Sequence, residues 1–226
     1  MEETIIISLG GSLIIPDSID IEFLKSFRDL ILEKVKEGKK FLIITGGGKT
    51  NRQYNEAAKQ LTNPSNEDLD WIGIASLKLN AELIRVMFAE YTNKKVVENL
   101  SSDFFFEKSI IIGSALEPGG SSDWDAVQGA KTLGAKKIIN LSNTDYVFDS
   151  DPRTNPNAKK IEKISWAGYR KIIPKEWTSR LSTPFDPVAS KLAEEGGIQV
   201  AIMNGKPIDN LKNYLNGEKF LGTVIS

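Results

Sequence analysis

The sequence predicts an α/β fold, an αβα sandwich built around a mainly parallel central sheet. Three observations predict it. Short β-branched apolar runs, such as Thr4 to Leu9 and Phe41 to Ile44, stop abruptly at glycine. The runs are apolar throughout, as in strands covered on both faces. They alternate with longer segments of helical hydrophobic spacing, the order that covers a parallel sheet with helices.

Thr4 to Leu9 reads as a buried strand ending at Gly10-Gly11. From Asp20 to Lys36, apolar residues fall at Ile21, Leu24, Phe27, Leu30, Ile31 and Val35, a helical pattern that Gly38 ends. Phe41 to Ile44 is the next strand, followed by Gly46-Gly47-Gly48. Asn51 to Leu61 and Asp70 to Phe88 read as helices on either side of a polar break from Asn63 to Asn66. Lys95 to Val97 and Ile110 to Ile112 are predicted strands; Asp123 to Leu133 is a helix and Lys137 to Leu141 a strand. Asn155 to Asn157 is turn-like, and Ser165 to Pro184, with Trp166 and Trp177, reads as a mobile lid. A helix (Pro187 to Glu195), a strand (Gln199 to Met203), a helix (Ile208 to Leu215) and a strand (Gly222 to Ile225) complete the chain. We read residues 1–226 as a single domain with approximate lobes 1–135 and 136–226 and no flexible linker between them.

At 226 residues the chain can bury a substantial core. Lysine plus arginine number 29 and aspartate plus glutamate 30, a net charge of -1 that gives no electrostatic case for nucleic acid or an anionic membrane. There is no cysteine and no histidine, which excludes disulfides, Cys/His zinc sites, thiol nucleophiles and a histidine base. The chemistry must come from Lys, Arg, Asp, Glu, Ser, Thr, Tyr, backbone amides or a bound hard cation. The acidic start and the lack of any stretch approaching a membrane helix predict a cytoplasmic protein.

Gly10-Gly11-Ser12, Gly46-Gly47-Gly48-Lys49 and Pro118-Gly119-Gly120-Ser121-Ser122 are candidate phosphate turns. In such turns several N–H groups converge and the next helix presents its positive end. Any one of them also serves as an ordinary tight turn. Together, at the ends of predicted strands, they fall at the sheet edge where open α/β folds bind ligands. Neither standard nucleotide motif is met. A Walker A loop needs glycine where Ile43 stands, and a Rossmann fingerprint needs it at Asn51. Lys49 and Arg52, one helical turn apart, face the same way and suit a polyphosphate. Asp123 and Asp125 open a helix, where the dipole favours carboxylates in any case. Asp145 and Asp151 flank a turn.

Taken in order, these pieces resemble the amino acid kinase superfamily over essentially the whole chain. The matching residues are Leu9-Gly10-Gly11-Ser12, Thr45 to Lys49 with Arg52 and Tyr54, Asp70 to Gly73 with Asn80-Ala81, and Pro118 to Asp123. They continue with Asn143-Thr144-Asp145, Phe148, Asp151-Pro152-Arg153, Phe185-Asp186-Pro187 with Lys191, and the closing Gly217 to Ile225. Within the superfamily the pattern is most similar to the archaeal-type UMP kinases. The resemblance implies a carbamate-kinase-like fold that transfers phosphate from ATP, with Mg, to UMP. Lobe 1–135 would hold the acceptor and lobe 136–226 mainly ATP. By position, Gly47, Asp70 and the loop Leu116, Glu117, Pro118, Gly119, Gly120, Ser121 and Ser122 would bind UMP, with Asp70 on the ribose hydroxyls. Ser8, Gly10, Gly11, Ser12, Gly48 and Arg52 would surround the transferred phosphoryl group; Ser142, Asn143, Phe148 and Asp151 would line the ATP site. Lys49, Arg52 and Asp123 are the candidate catalytic residues, and no side chain is assigned as a metal ligand. The resemblance also implies a homo-oligomer, a dimer or hexamer, for which Trp71, Ile72 and Ile74 are candidate interface residues as well as candidate core.

The chain departs from the family pattern at four places. Ser8 stands where many members have lysine, Tyr146 where glycine is usual, Lys78 where arginine is common, and Glu117 puts a negative charge near the expected phosphate. Two other functions stay open on this sequence: a kinase of the same fold for another phosphate, carboxylate or carbamate, and a non-catalytic binding or storage protein. An isopentenyl phosphate kinase is expected to show a histidine, and none is present.

Overall fold

The computed structural model describes residues 3–175 and 183–226. The chain runs β1 (Thr4–Leu9), the one-turn α1 (Gly11–Ile14), α2 (Ile21–Lys36), β2 (Lys40–Thr45), α3 (Gly48–Leu61), α4 (Asn66–Met87) and β3 (Ile110–Gly113). It continues through α5 (Ser122–Thr132), β4 (Lys137–Ser142), the short strands β5 (Val147–Phe148), β6 (Lys160–Ile161) and β7 (Lys163–Ile164), and α6 (Trp166–Ile172). It closes with α7 (Pro187–Glu195), β8 (Gln199–Asn204), α8 (Ile208–Leu215) and β9 (Thr223–Ile225). Among the described residues the main sheet has seven strands in the order β3-β2-β1-β4-β8-β9-β7. β3, β2, β1, β4 and β8 are mutually parallel, and β9 turns back antiparallel to β8.

Alternate residues of each strand feed two separate cores. Ile5, Ile7 and Leu9 of β1 join Phe41, Ile43, Ile110 and Ile112 under α2, α4 and α8. Ile6 joins Leu42, Ile44 and Ile111 under α5, α6 and α7. That double burial explains why the strands read as unbroken apolar runs, and it makes the sandwich.

The helix starts follow from capping. Asp20 accepts from Phe23 N–H at 3.0 Å and begins α2. Ser65 and Asp68 form a reciprocal capping box, so α4 starts at Asn66 rather than at Asp70. Gly48, with φ +64, turns the triglycine directly into α3, three residues before the predicted Asn51. Lys95 to Val97 is not a strand. Thr92 and Val97 each make a single bridge to β3, and a bend between them prevents a ladder.

The segment predicted as a lid is partly core. Trp166 is 3% exposed and donates its Nε1–H to Ile198 O, and Tyr169 OH bonds both the N–H and the C=O of Phe185. Trp177 and its neighbours from 176 to 182 lie outside the described residues.

Candidate functional site

The turns after β1 and β2 pack backbone against backbone. A Cβ on Gly11 would stand 2.1 Å from Gly48 N and 2.6 Å from Gly46 O, and one on Gly10 would stand 2.7 Å from Leu141 O. Gly10 N–H donates to Leu141 O at 2.8 Å, and Gly46 N–H to Leu9 O at 3.0 Å. The first two glycine turns therefore form one seam across β2, β1 and β4. Gly47 caps α3 without a side chain, and Lys49 N–H donates to Ile15 O at 3.1 Å, which leaves the remaining first-turn amides of this helix to an anion.

Beside the seam lies a cleft of ≈ 210 Å³. Gly46 and Gly47 form one side with Asn51 and Asn55 of α3. Leu69, Asp70, Gly73, Ile74 and Leu77 of α4 form another, and Ala115, Pro118, Gly120, Ser121 and Ser122 close it. Gly47, Asp70 and most of the third turn thus meet as expected. Three expected members do not line the cleft: Leu116 and Glu117 are exposed, and Gly119, with φ +99, makes the turn with nothing within 4 Å of where a Cβ would stand. Glu117 therefore puts no carboxylate on the cleft wall. Ile74 is buried core, whereas Trp71 is exposed.

A polar cluster joins the two halves of the sheet behind the third turn. Ser8 and Asn140 are register partners on β1 and β4. Both donate to Asp123 Oδ1, Ser8 Oγ at 3.2 Å and Asn140 Nδ2 at 2.7 Å, while Asp186 N–H donates to Asp123 Oδ2 at 3.1 Å. Asp186 itself caps α7 through Val188 and Ala189 N–H. Burial, reinforced by the Asp186 carboxylate, pushes Asp123 up to about 7 against these three hydrogen bonds. Burial, and then the charge of Asp123, pushes Asp125 up to about 8. Ser8, one of the departures from the family pattern, thus sets a hydroxyl on Asp123.

Lys49 and Arg52 share one face of α3 as predicted, away from the cleft and beside Gln53 and Glu56. The Lys49 ammonium is paired with Asp17. Arg52 is exposed. Lys78 pairs with Glu98 at 3.0 Å instead of entering the cleft. On the far side of β1, Ser142 ends β4 and Phe148 lies half-buried in β5. Asn143 is exposed, and Asp151 holds the Arg153 guanidinium and closes a turn with Thr154 and Asn155 N–H. The Tyr146 ring lies under the Lys160 ammonium, 4.8 Å away.

The residues that sequence reasoning left unassigned are Asn51, Asn55, Asn140 and Asp186. Asn140 interrupts the apolar run of β4, and Asn55 stands on the packing face of a helix. Asn140 was visible as a polar residue in an apolar position; α3 buries no apolar residue, so no pattern marked Asn55.

Residues 3–204 match the profile of the Amino acid kinase family. The chain is 34% identical over 225 residues to the uridylate kinase of Thermococcus onnurineus, covering 98% of each chain. It is 34% identical over 229 residues to that of Pyrococcus abyssi, again covering 98% of each. The crystal structure of uridylate kinase from Archaeoglobus fulgidus superposes with a TM-score of 0.83 at 29% identity, covering 100% of both chains. The UMP kinase of Bacillus anthracis superposes with a TM-score of 0.79 at 21% identity, a likeness of fold.

Proposed function

The chain belongs to the amino acid kinase family, and on that premise we propose that it is a UMP kinase, transferring the γ-phosphoryl group of ATP to UMP to give UDP and ADP in pyrimidine nucleotide synthesis. One observation carries the reading: a single cleft gathers Gly47, Asp70 and the third glycine turn. A carboxylate on one wall suits ribose hydroxyls, and glycine amides with a helix start suit a phosphate.

In this reading residues 1–135 bind UMP, and Ser142, Asn143, Phe148 and Asp151 bind ATP, with Phe148 against adenine. The transferred group crosses the seam of Gly10, Gly11 and Gly48, where the Gly11 and Gly48 amides meet its oxygens; the Gly10 N–H is held by Leu141 O. The acceptor phosphate is already anionic at neutral pH, so no general base is required. Positioning and charge neutralisation do the work. Asp123 is then a positioning group, tying β1, β4, α5 and α7 together behind the seam. Mg belongs to the same proposal. Among the described residues no cluster of three carboxylates is placed to cage a metal, and the amide-rich walls suit an ion carried by the nucleotide's phosphates. There it would neutralise phosphate charge. Cytoplasmic location and a homo-oligomer complete the proposal. Among the described residues no helix is long and apolar enough to cross a membrane, and Trp71, Leu79 and Val86 expose apolar surface along α4.

The test is ADP release from ATP with each nucleoside monophosphate in turn. Turnover with UMP well above AMP, GMP and CMP is expected. Nucleotide binding without turnover of any acceptor would instead establish a binding protein.

A further inference from the structure

α3 buries one residue, and that residue is polar: Asn55, 3% exposed. The packing face of a surface helix is ordinarily apolar. Asn55 Nδ2 donates to Asn51 Oδ1 at 2.7 Å, one turn back along the helix. Among the described residues, Asn55 Oδ1 is left buried without a hydrogen-bond partner. A buried unmatched oxygen is destabilising and calls for a reason. Both asparagines line the cleft that also contains Asp70.

We infer that Asn51 and Asn55 form an acceptor-recognition pair, in which the Asn51 amide donates to a ribose hydroxyl and Asn55 fixes that amide's orientation. The inference rests on the UMP reading above and names a specificity contact within it. With Asn51 Oδ1 occupied by Asn55, the Nδ2 group is what Asn51 presents. Two glycines leave it uncovered. A Cβ on Gly47 would stand 3.3 Å from Asn51 Nδ2, and one on Gly73 would stand 3.6 Å away. Gly73 lies one turn after Asp70 on α4, so donor and carboxylate share one wall. A hydroxyl both gives and accepts a hydrogen bond, and this wall offers it both partners. A phosphate in the same place would meet the Asp70 carboxylate, and like charges disfavour it. Asn51 is the contacting residue and Asn55 a positioning residue.

The full chain is tested by calorimetric binding and steady-state turnover with UMP, 2′-deoxy-UMP and 3′-deoxy-UMP. Asn51→Ala is expected to weaken UMP about 3- to 10-fold, the loss of one hydrogen bond. That penalty vanishes with the deoxy analogue lacking the contacted hydroxyl. Asn55→Leu removes the orphan oxygen, so it should keep or raise Tm while raising KM for UMP at nearly unchanged kcat. A residue that served packing alone would not separate these readouts in this way. Equal losses for all three acceptors, or wild-type UMP binding in Asn51→Ala, overturn the inference. If Asn55→Leu does not fold, the half-buried Asn51→Ala decides the matter by itself. A wild-type chain that neither binds nor phosphorylates UMP defeats the functional reading and this inference together. Wild-type turnover with unaltered discrimination in Asn51→Ala defeats the inference alone.

Discussion

Gly11→Ala tests the seam between the first two glycine turns. The added methyl would sit 2.1 Å from Gly48 N and 2.6 Å from Gly48 Cα, both backbone atoms. Ordinary contact begins near 3.4 Å, so the turns must part by 1.3 Å along that line. No flexible side chain can give way. Overpacking of this kind costs about 1–3 kcal/mol, or about 2–12 °C in Tm for a chain of this size. A displacement of about 1 Å at reacting groups can cost about 10²-fold in rate. We therefore expect Gly11→Ala to fold, to melt earlier by that amount, and to lose about 10²-fold in kcat. Thermal unfolding and coupled ADP release with UMP measure the two quantities. Gly134→Ala is the control. Its φ of +67 carries a conformational cost, but nothing lies within 4 Å of its Cβ, so Tm should fall with kcat unchanged. A folded Gly11→Ala protein with turnover within about threefold of wild type would refute the idea that phosphoryl transfer depends on this approach.

Arg52→Ala should lower kcat by about 10²-fold, and Lys49→Ala by less, because Asp17 already neutralises the Lys49 ammonium; normal turnover in Arg52→Ala would remove that side chain from the phosphoryl site. Phe148→Ala should raise KM for ATP more than for UMP, and an equal rise in both would mean a packing role. Asp125 titrates near 8 in the folded chain against 3.8 in its absence, so the folded state holds a proton that the unfolded state releases. Its stabilising effect is therefore complete below about pH 4 and is lost as pH rises through about 8. Asp125→Asn should flatten the decline in stability between pH 5 and 8 and raise stability at pH 8 by on the order of a few kcal/mol; denaturant melts that keep the wild-type slope with pH would contradict this.

Much of the architecture was legible because each strand is buried on both faces. That leaves unbroken apolar runs, and it placed β1, β2, β4 and β8 to within a residue at either end. Capping chemistry lies outside the apolar pattern, which is why α4 was begun too late: Ser65 and Asp68 sit in a stretch that reads as a polar break. Lys95 to Val97 failed because β propensity cannot distinguish a ladder from two separate bridges. The cleft was legible through Gly47, Asp70 and Pro118 to Ser122, whose residue types suit ligand binding. Asn140 stood out in the apolar run of β4, but its role did not, since its partner Asp123 is brought to it by the crossing of α5 over β1 and β4. Spacing along the chain could not reveal that Lys49 turns toward Asp17.

The place of β1 in the sheet also has a history in time. β1 is made before both of its neighbours and finishes between them, with β2 on one side and β4 on the other. Its partner β2 is available almost at once. The other edge, Ile6 to Leu9, has no hydrogen-bond partner until Lys137–Ser142 has been synthesised. At typical elongation rates that delay lasts about 6–26 s. For that interval a nascent chain carries an open, apolar strand edge of the kind that recruits foreign strands. The strand that leads into the glycine seam is thus also a place where a stalled or truncated chain is exposed to aggregation.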